Sequence, residues 1–255
     1  MNNSSNTLNA GNESNFVAHI QGVLFDIDDT LIDLNSAAIR GFHQMTEQDF
    51  ASLASDIREH IARDYADDGA GAYERYMSGE VTFLGQRAER IKRAYALAKV
   101  QSPVAEALGV WSAKYERTVR SLWEPYPDVH ECLDSLEAMG IPYGAVSNNI
   151  ESYQRDKLVA SGLERIDLVV GSDTAGAPKP DPRPFHEGCR LLGTEISETL
   201  YVGDNPVNDV QGALNAGLQA VLINRAPNHM DASGKVLGNL ATLGSKIAGN
   251  MRLAD

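Results

Sequence analysis

The sequence has little cysteine, no long apolar run and a shortage of basic residues. Its 255 residues hold two cysteines, Cys132 and Cys189, so a disulfide framework is excluded. No apolar stretch approaches the ~20 residues that span a bilayer, so no membrane helix is expected. Lys and Arg number 22 against 35 Asp and Glu, a formal net charge of -13. Such a chain is a poor partner for nucleic acid or for an anionic membrane surface. The first Lys or Arg is Arg40, and no apolar stretch precedes it near the N-terminus. A secretory signal is therefore not expected. The expectation is a cytoplasmic protein in which both cysteines are reduced core thiols. No feature of the sequence selects an oligomeric state.

What is present begins with a polar tail. Residues 1–15 contain six Asn and three Ser. That composition cannot bury enough surface to offset the entropy of ordering, so residues 1–18 are expected to be a disordered tail. From Ile20 the character changes. Gly22–Phe25, Ile141–Val146, Leu168–Val170, Leu200–Val202 and Gln219–Ile223 are short apolar runs of the kind buried in a parallel sheet. Helical stretches around Val129–Met139, Ser152–Ser161, Pro184–Leu192 and Asn208–Ala216 alternate with the later runs. That alternation predicts a doubly wound α/β fold. Leu237, Leu240, Leu243 and Ile247 predict one last helix.

Between the first two strands lies a long segment without a convincing strand. Leu84, Ala88, Ile91, Tyr95 and Ala98 recur at helical steps. Residues 34–122 hold 12 basic and 12 acidic residues, whereas the remainder holds 10 and 23. This shift in charge supports a boundary. The expectation is an all-helical domain at 34–122, inserted into an α/β domain made of 19–33 and 123–255.

The chemistry gathers at the strand ends. In open parallel sheets ligands bind beyond the carboxyl ends of the strands. The first strand ends in Phe25-Asp26-Ile27-Asp28-Asp29-Thr30. Asp26 is placed to act as a nucleophile, and Asp28 to serve as acid and base. The plainer reading is a polar cap on the strand, since Asp and Thr favour turns. The second strand runs into Ser147-Asn148-Asn149, where a hydroxyl and backbone N–H groups suit a phosphate oxygen or, more plainly, a helix N-cap. After the third comes Pro178-Lys179-Pro180-Asp181-Pro182, a cation held between prolines. The fourth gives Gly203-Asp204-Asn205-Pro206-Val207-Asn208-Asp209. There glycine permits close approach, and Asp209 also suits the start of a helix. Several carboxylates at one sheet mouth call for a cation that takes oxygen ligands, such as Mg²⁺.

These four strand ends, in this order, resemble the haloacid dehalogenase-like (HAD) superfamily of hydrolases. Asp26-Ile27-Asp28-Asp29-Thr30 resembles its DxDxT motif, and Ser147, Lys179 and Gly203–Asp209 resemble its other three motifs. The likeness extends over about Gly22 to Asn224. The helical insertion after the first motif resembles the C1 type of cap, as in phosphoglycolate phosphatase and nucleotidase relatives. The resemblance implies a Rossmann-like core and hydrolysis of a small phosphorylated metabolite. By that likeness Asp26 is the nucleophile that becomes an aspartyl-phosphate, and Asp28 is the acid and base. Thr30, Ser147, Asn148 and Lys179 hold the phosphate. Mg²⁺ is held by Asp26, the Asp28 carbonyl and Asp204, with Asp209 in support. Asp29 is left to the turn.

Relatives that dehalogenate lack the second aspartate, present here as Asp28, which favours phosphoryl chemistry. A sugar phosphomutase would use the same aspartates, and a noncatalytic binding module is a further alternative. Neither a P-loop nor a GxGxxG turn follows the first strand, which argues against a kinase or a dinucleotide enzyme. In the cap, Arg87 and Arg90 border the apolar helix face. Arg87 is the candidate for substrate contact, and Glu89 and Arg93 are expected to pair at i,i+4. Trp111 and Trp123 are expected to be packing residues.

Overall fold

The computed structural model describes residues 19–225 and 236–251, so the tail expected at 1–18 lies outside the described residues. Six strands form one parallel sheet: β1 Gly22–Phe25, β2 Tyr143–Val146, β3 Val169–Val170, β4 Thr199–Gly203, β5 Gln219–Ile223 and β6 Val236–Leu237. Their spatial order is β3-β2-β1-β4-β5-β6. β1 lies at the centre, with Val23 opposite Tyr143 on one side and Leu200 on the other. After β3 the chain crosses over β1 to start β4. The order of strands therefore reverses beside β1, where α/β sheets open a crevice for ligands.

Side-chain alternation along the strands divides the core into two layers. Val23, Phe25, Ala145, Leu200 and Val202 pack with Cys132, Leu133, Leu136, Leu158 and Ile247. These come from helices α6 (Val129–Ala138), α7 (Glu151–Ala160) and α11 (Leu243–Met251). Leu24, Val146 and Tyr201 pack on the other face with Phe185, Cys189 and Ala213. The helices there are α9 (Pro182–Leu192) and α10 (Gly212–Asn215), and short α8 (Ser172–Ala175) follows β3. Both cysteines are buried and free. The doubly wound α/β architecture is thus realised.

The insertion is all helical: α1 (Leu34–Thr46), α2 (Ser55–Ala66), α3 (Ala72–Met77), α4 (Phe83–Ala98) and α5 (Ala105–Arg120). Asp33 caps α1 by accepting from Ser36 N at 3.0 Å, and Thr82 caps α4 by accepting from Gly85 N at 3.0 Å. Phe42, Tyr65, Trp111 and Tyr115 form an aromatic centre, with the Phe42 and Tyr65 rings stacked at 4.6 Å.

Three expectations need correction. Leu84 is 57% exposed, and the inner face of α4 is completed by Gln86 and Ala94 instead. Glu89 pairs with Arg75 and Arg93 with Asp64, so tertiary partners displace the expected pair along the helix. Leu237 lies in a strand, not in the last helix, which begins at Leu243. Pairing of Leu222 with Val236 and Ile223 with Leu237 draws that segment into the sheet. Two strands are also shorter than expected: the second begins at Tyr143 and the third at Val169. Among the described residues, no helix is long and apolar enough to cross a membrane.

Candidate active site

The turn after β1 is closed by backbone bonds from Leu31 N and Ile32 N to Ile27 O, each 3.0 Å. Asp29 takes a positive φ of 58° at its tip, a conformation Asp tolerates better than most residues. Its carboxylate accepts from Asn35 N at 2.8 Å and so ties the turn to α1. Burial, with help from Asp28 and Asp204, pushes Asp29 up to about 7 despite that N–H. The turn leaves Asp26 buried at the strand end and Asp28 half-buried above it.

Lys179 is the hub. Its ammonium lies 2.5 Å from Asp26 Oδ1, 2.7 Å from Asp209 Oδ1, 2.8 Å from the Tyr201 hydroxyl and 3.1 Å from Val146 O. Three donor protons are thus shared among four oxygens. An ammonium buried without such partners would carry a penalty of several kcal/mol. Burial lowers its pKa, and the Asp26 and Asp209 carboxylates reverse that effect, leaving Lys179 raised and charged. Asn148 fixes the loop: its amide accepts from Lys179 N at 2.6 Å and donates to Lys179 O at 3.0 Å. Asp181 then caps α9, accepting from Arg183 N.

The fourth strand end differs from the helix expected at Asn208–Ala216. Pro206–Gln211 form a wide π-helical turn, which passes into α10 at Gly212. Asn205 caps it, accepting from Val207 N and Asn208 N at 3.0 and 2.9 Å. The wide turn brings Asp209 back under the strand end, where its Oδ2 accepts from Asn205 N at 2.9 Å.

Asp26, Asp204 and Asp209 offer carboxylate oxygens within 4.8 Å of one another. Burial raises Asp26 well above the usual carboxylate range; Lys179 opposes this, and Asp209, Asp28 and Asp204 add to it. Burial and then Asp209 lift Asp204 to about 6. Lys179 alone does not offset this concentration of negative charge. The donor set is all oxygen and short of positive charge, which fits Mg²⁺. Thr30 Oγ1 is buried, with no hydrogen-bond partner among the described residues. Ser147 Oγ accepts from Gln154 Nε2 at 2.6 Å and from Asn149 N at 3.2 Å, which leaves its own proton to donate. Both hydroxyls suit a ligand oxygen. A cleft of about 390 Å³ at Asp204 is lined also by Asp29, Asn35, Tyr126 and Arg225.

The structure brings Asp26, Lys179 and Asp209 into direct contact, with Asp204 beside them. Asn148 acts on the Lys179 backbone through its side chain. Arg87 is not bonded to this group. Its side chain is 12% exposed and its guanidinium meets Glu116 and Ser112 O inside the cap. Arg90 likewise bonds Tyr65 O.

Sequence reasoning missed three residues. Tyr201 donates to Val146 O at 2.9 Å between Lys179 and Asp209. Lys157 forms a close ion pair with Asp28 Oδ1, and Gln154 Nε2 donates to Asp28 Oδ2 at 3.0 Å. A signal existed for the last two. Gln154, Lys157 and Leu158 share the inner face of α7, and polar residues at inward positions need polar partners.

A parallel sheet that gathers carboxylates and a lysine at its switch point is the architecture of a hydrolase core. The chain belongs to the haloacid dehalogenase-like hydrolases, whose family model matches residues 23–223. It is 31% identical to a glyceraldehyde 3-phosphate phosphatase of Methanopyrus kandleri over 212 residues, 81% of this chain and 84% of that one. It is 28% identical to a phosphoglycolate phosphatase of Aquifex aeolicus over 204 residues, 78% of this chain and 83% of that one. The fold matches the HAD-hydrolase YfnB from Bacillus subtilis, solved with bound magnesium, at a TM-score of 0.67 and 21% identity, covering 90% of this chain and 99% of that one.

Proposed function

We propose that this hydrolase is a Mg²⁺-dependent phosphatase of a small phosphorylated metabolite, working through an aspartyl-phosphate on Asp26. The observation that carries the reading is the buried contact of Lys179 with Asp26 at the end of β1, with a second carboxylate two residues on. The names of the two relatives, both phosphatases of small phosphate monoesters, point the same way.

In this reading Asp26 attacks phosphorus as the ester P–O bond breaks, and Asp28 gives its proton to the leaving oxygen. Asp28 then takes a proton from water, whose oxygen attacks the phosphoryl group. The Asp26 carboxylate is released and inorganic phosphate departs. The Thr30 and Ser147 hydroxyls hold phosphoryl oxygens, and Lys179 offsets charge that develops on them. Asp26, the Asp28 carbonyl and Asp204 would hold Mg²⁺, with Asp209 behind. Bound there, it supplies Lewis-acid neutralisation of the phosphoryl oxygens.

The presence of Asp28 speaks for a phosphatase over a dehalogenase. The net charge of -13 speaks against nucleic acid as the partner. Two buried, unbridged cysteines suit a cytoplasmic setting. Residues 34–122 form the cap in this reading, and 19–33 with 123–255 form the core.

The test is release of phosphate from an aryl phosphate with Mg²⁺ and with a chelator, for the native chain and for Asp26→Asn. Release that requires the metal and vanishes in the variant is expected. Release retained by Asp26→Asn would remove the nucleophile assignment. No release from aryl or small alkyl phosphates would favour a mutase.

A further inference from the structure

We propose that Lys157 and Gln154 are positioning residues that hold Asp28 for proton transfer, and that the cap acts on this hold through Tyr153. The inference rests on the reading of Asp28 as acid and base. Four observations carry it.

Both oxygens of Asp28 are held by α7. Oδ1 pairs with the Lys157 ammonium, and Oδ2 accepts from Gln154 Nε2 at 3.0 Å. The carboxylate is therefore fixed in one direction, while its side chain remains 27% exposed. Proton transfer to a leaving oxygen depends on such placement.

Among the described residues, Asp28 is the one hydrogen-bonding partner of the Lys157 ammonium. Its side chain is 1% exposed, and its ammonium otherwise faces the rings of Trp123 at 5.2 Å and Tyr153 at 5.3 Å. An aliphatic residue would fill this position without taking a charge out of water.

Gln154 joins two parts of the reaction. The same amide nitrogen donates to Asp28 Oδ2 and, at 2.6 Å, to Ser147 Oγ. The proton-transfer carboxylate and a phosphate-holding hydroxyl thus share one support.

Helix α7 is also fastened to the cap. The Tyr153 hydroxyl donates to Glu116 Oε1 of α5 at 2.7 Å. Glu116 gathers Arg87 and Arg120 as well. Tyr153 packs edge-on against Trp123 at 5.7 Å, just past the end of α5, and Arg120 sits 4.6 Å from the Tyr153 ring. Arg120 of the cap and Lys157 both lie against this aromatic pair. Any motion of α5 therefore bears on the helix that holds Asp28.

The experiment compares kcat/KM for para-nitrophenyl phosphate and for phosphoglycolate with the Mg²⁺-loaded enzyme. Only the alkyl ester needs a proton on its leaving oxygen, so the ratio of the two isolates the work of Asp28. Lys157→Met is expected to lower the alkyl value about tenfold more than the aryl value. Gln154→Leu, which leaves every charge in place, is expected to move the ratio the same way and decides the matter should Lys157→Met fail to fold. Tyr153→Phe keeps the ring, removes the bond to the cap and is expected to shift the ratio in the same direction by a smaller factor. Equal losses on both substrates, or an unchanged ratio, would overturn the positioning role. An unchanged ratio in Tyr153→Phe alone would overturn the link to the cap. Absence of release from both esters by the native enzyme is a different result: it fails the phosphatase reading, and the inference with it.

Discussion

Gly203 stands where any Cβ would come within 2.4 Å of the Asp209 carboxylate. The last residue of β4 must therefore lack a side chain for Asp209 to reach Lys179 at 2.7 Å and Asn205 N at 2.9 Å. Gly203→Ala is expected to push the carboxylate aside while the sheet stays paired. A misplacement of this size costs about 10²-fold in rate. Steady-state phosphate release beside a melting curve checks it: a large loss of kcat with a nearly native Tm is the expected pattern.

Tyr201 supports Lys179 without being placed to touch substrate. Tyr201→Phe keeps the ring packed on Phe185, at 4.9 Å between centroids, and removes only the hydroxyl. The ammonium loses one of four oxygens, a change of about 1 kcal/mol. The expected result is a fall in kcat of roughly five- to tenfold with KM little changed. An unaltered kcat would show that Asp26 and Asp209 hold Lys179 on their own.

Metal binding should depend on pH in a defined direction. Burial and Asp209 raise Asp204 to about 6, and burial raises Asp26 above its ordinary value. A raised carboxylate keeps its proton in the fold. Its contribution to the stability of the metal-free protein is full below the ordinary 3.8 and is lost as pH climbs through about 6. A divalent cation needs the ionised forms and competes with those protons. The rise in Tm on adding Mg²⁺ should thus be small near about pH 5 and larger near about pH 7.5. A rise independent of pH would place the cation elsewhere.

Arg225 binds both oxygens of Asp128, at 2.8 and 2.7 Å, and donates to Thr30 O at 2.6 Å. It joins the end of β5 to the first turn of the site and to the start of α6. Among the described residues, Arg225→Ala leaves Asp128, 11% exposed, with the Leu240 N–H but no cation. Breaking such a pair is expected to cost about 3 kcal/mol, which corresponds to a drop in Tm of roughly 6–12 °C. Calorimetry measures it, and a shift under about 2 °C would show that the pair contributes little.

The strands carrying the site were legible because their signal is local. A short apolar run that ends in carboxylate or hydroxyl residues is a buried parallel strand with its chemistry at the carboxyl end, and β1 and β5 have the bounds read from the sequence. Asp26, Lys179, Asp204 and Asp209 converge because parallel strands present the same end to the same edge. The short strand at Val236–Leu237 was not legible, since its conformation comes from pairing with β5 and not from its own pattern.

The cap shows the limit from the other side. Helical periodicity identifies α4, but the fate of each arginine depends on what lies across from it. Arg87 turns to Glu116, Arg90 to Tyr65 O and Arg93 to Asp64, each partner at least 25 residues away. The same holds for Lys157, which reads as an ordinary helix lysine until the docking of α7 places it on Asp28, 129 residues away. By itself the sequence determined five of the sheet's six strands, the helical insertion and the carboxylates and lysine at the sheet mouth, because strand and helix periods act over a few residues. Only the tertiary structure decided which buried cation holds which carboxylate. Such pairing is set by the packing of one element against another, and desolvation then makes every polar group find its partner.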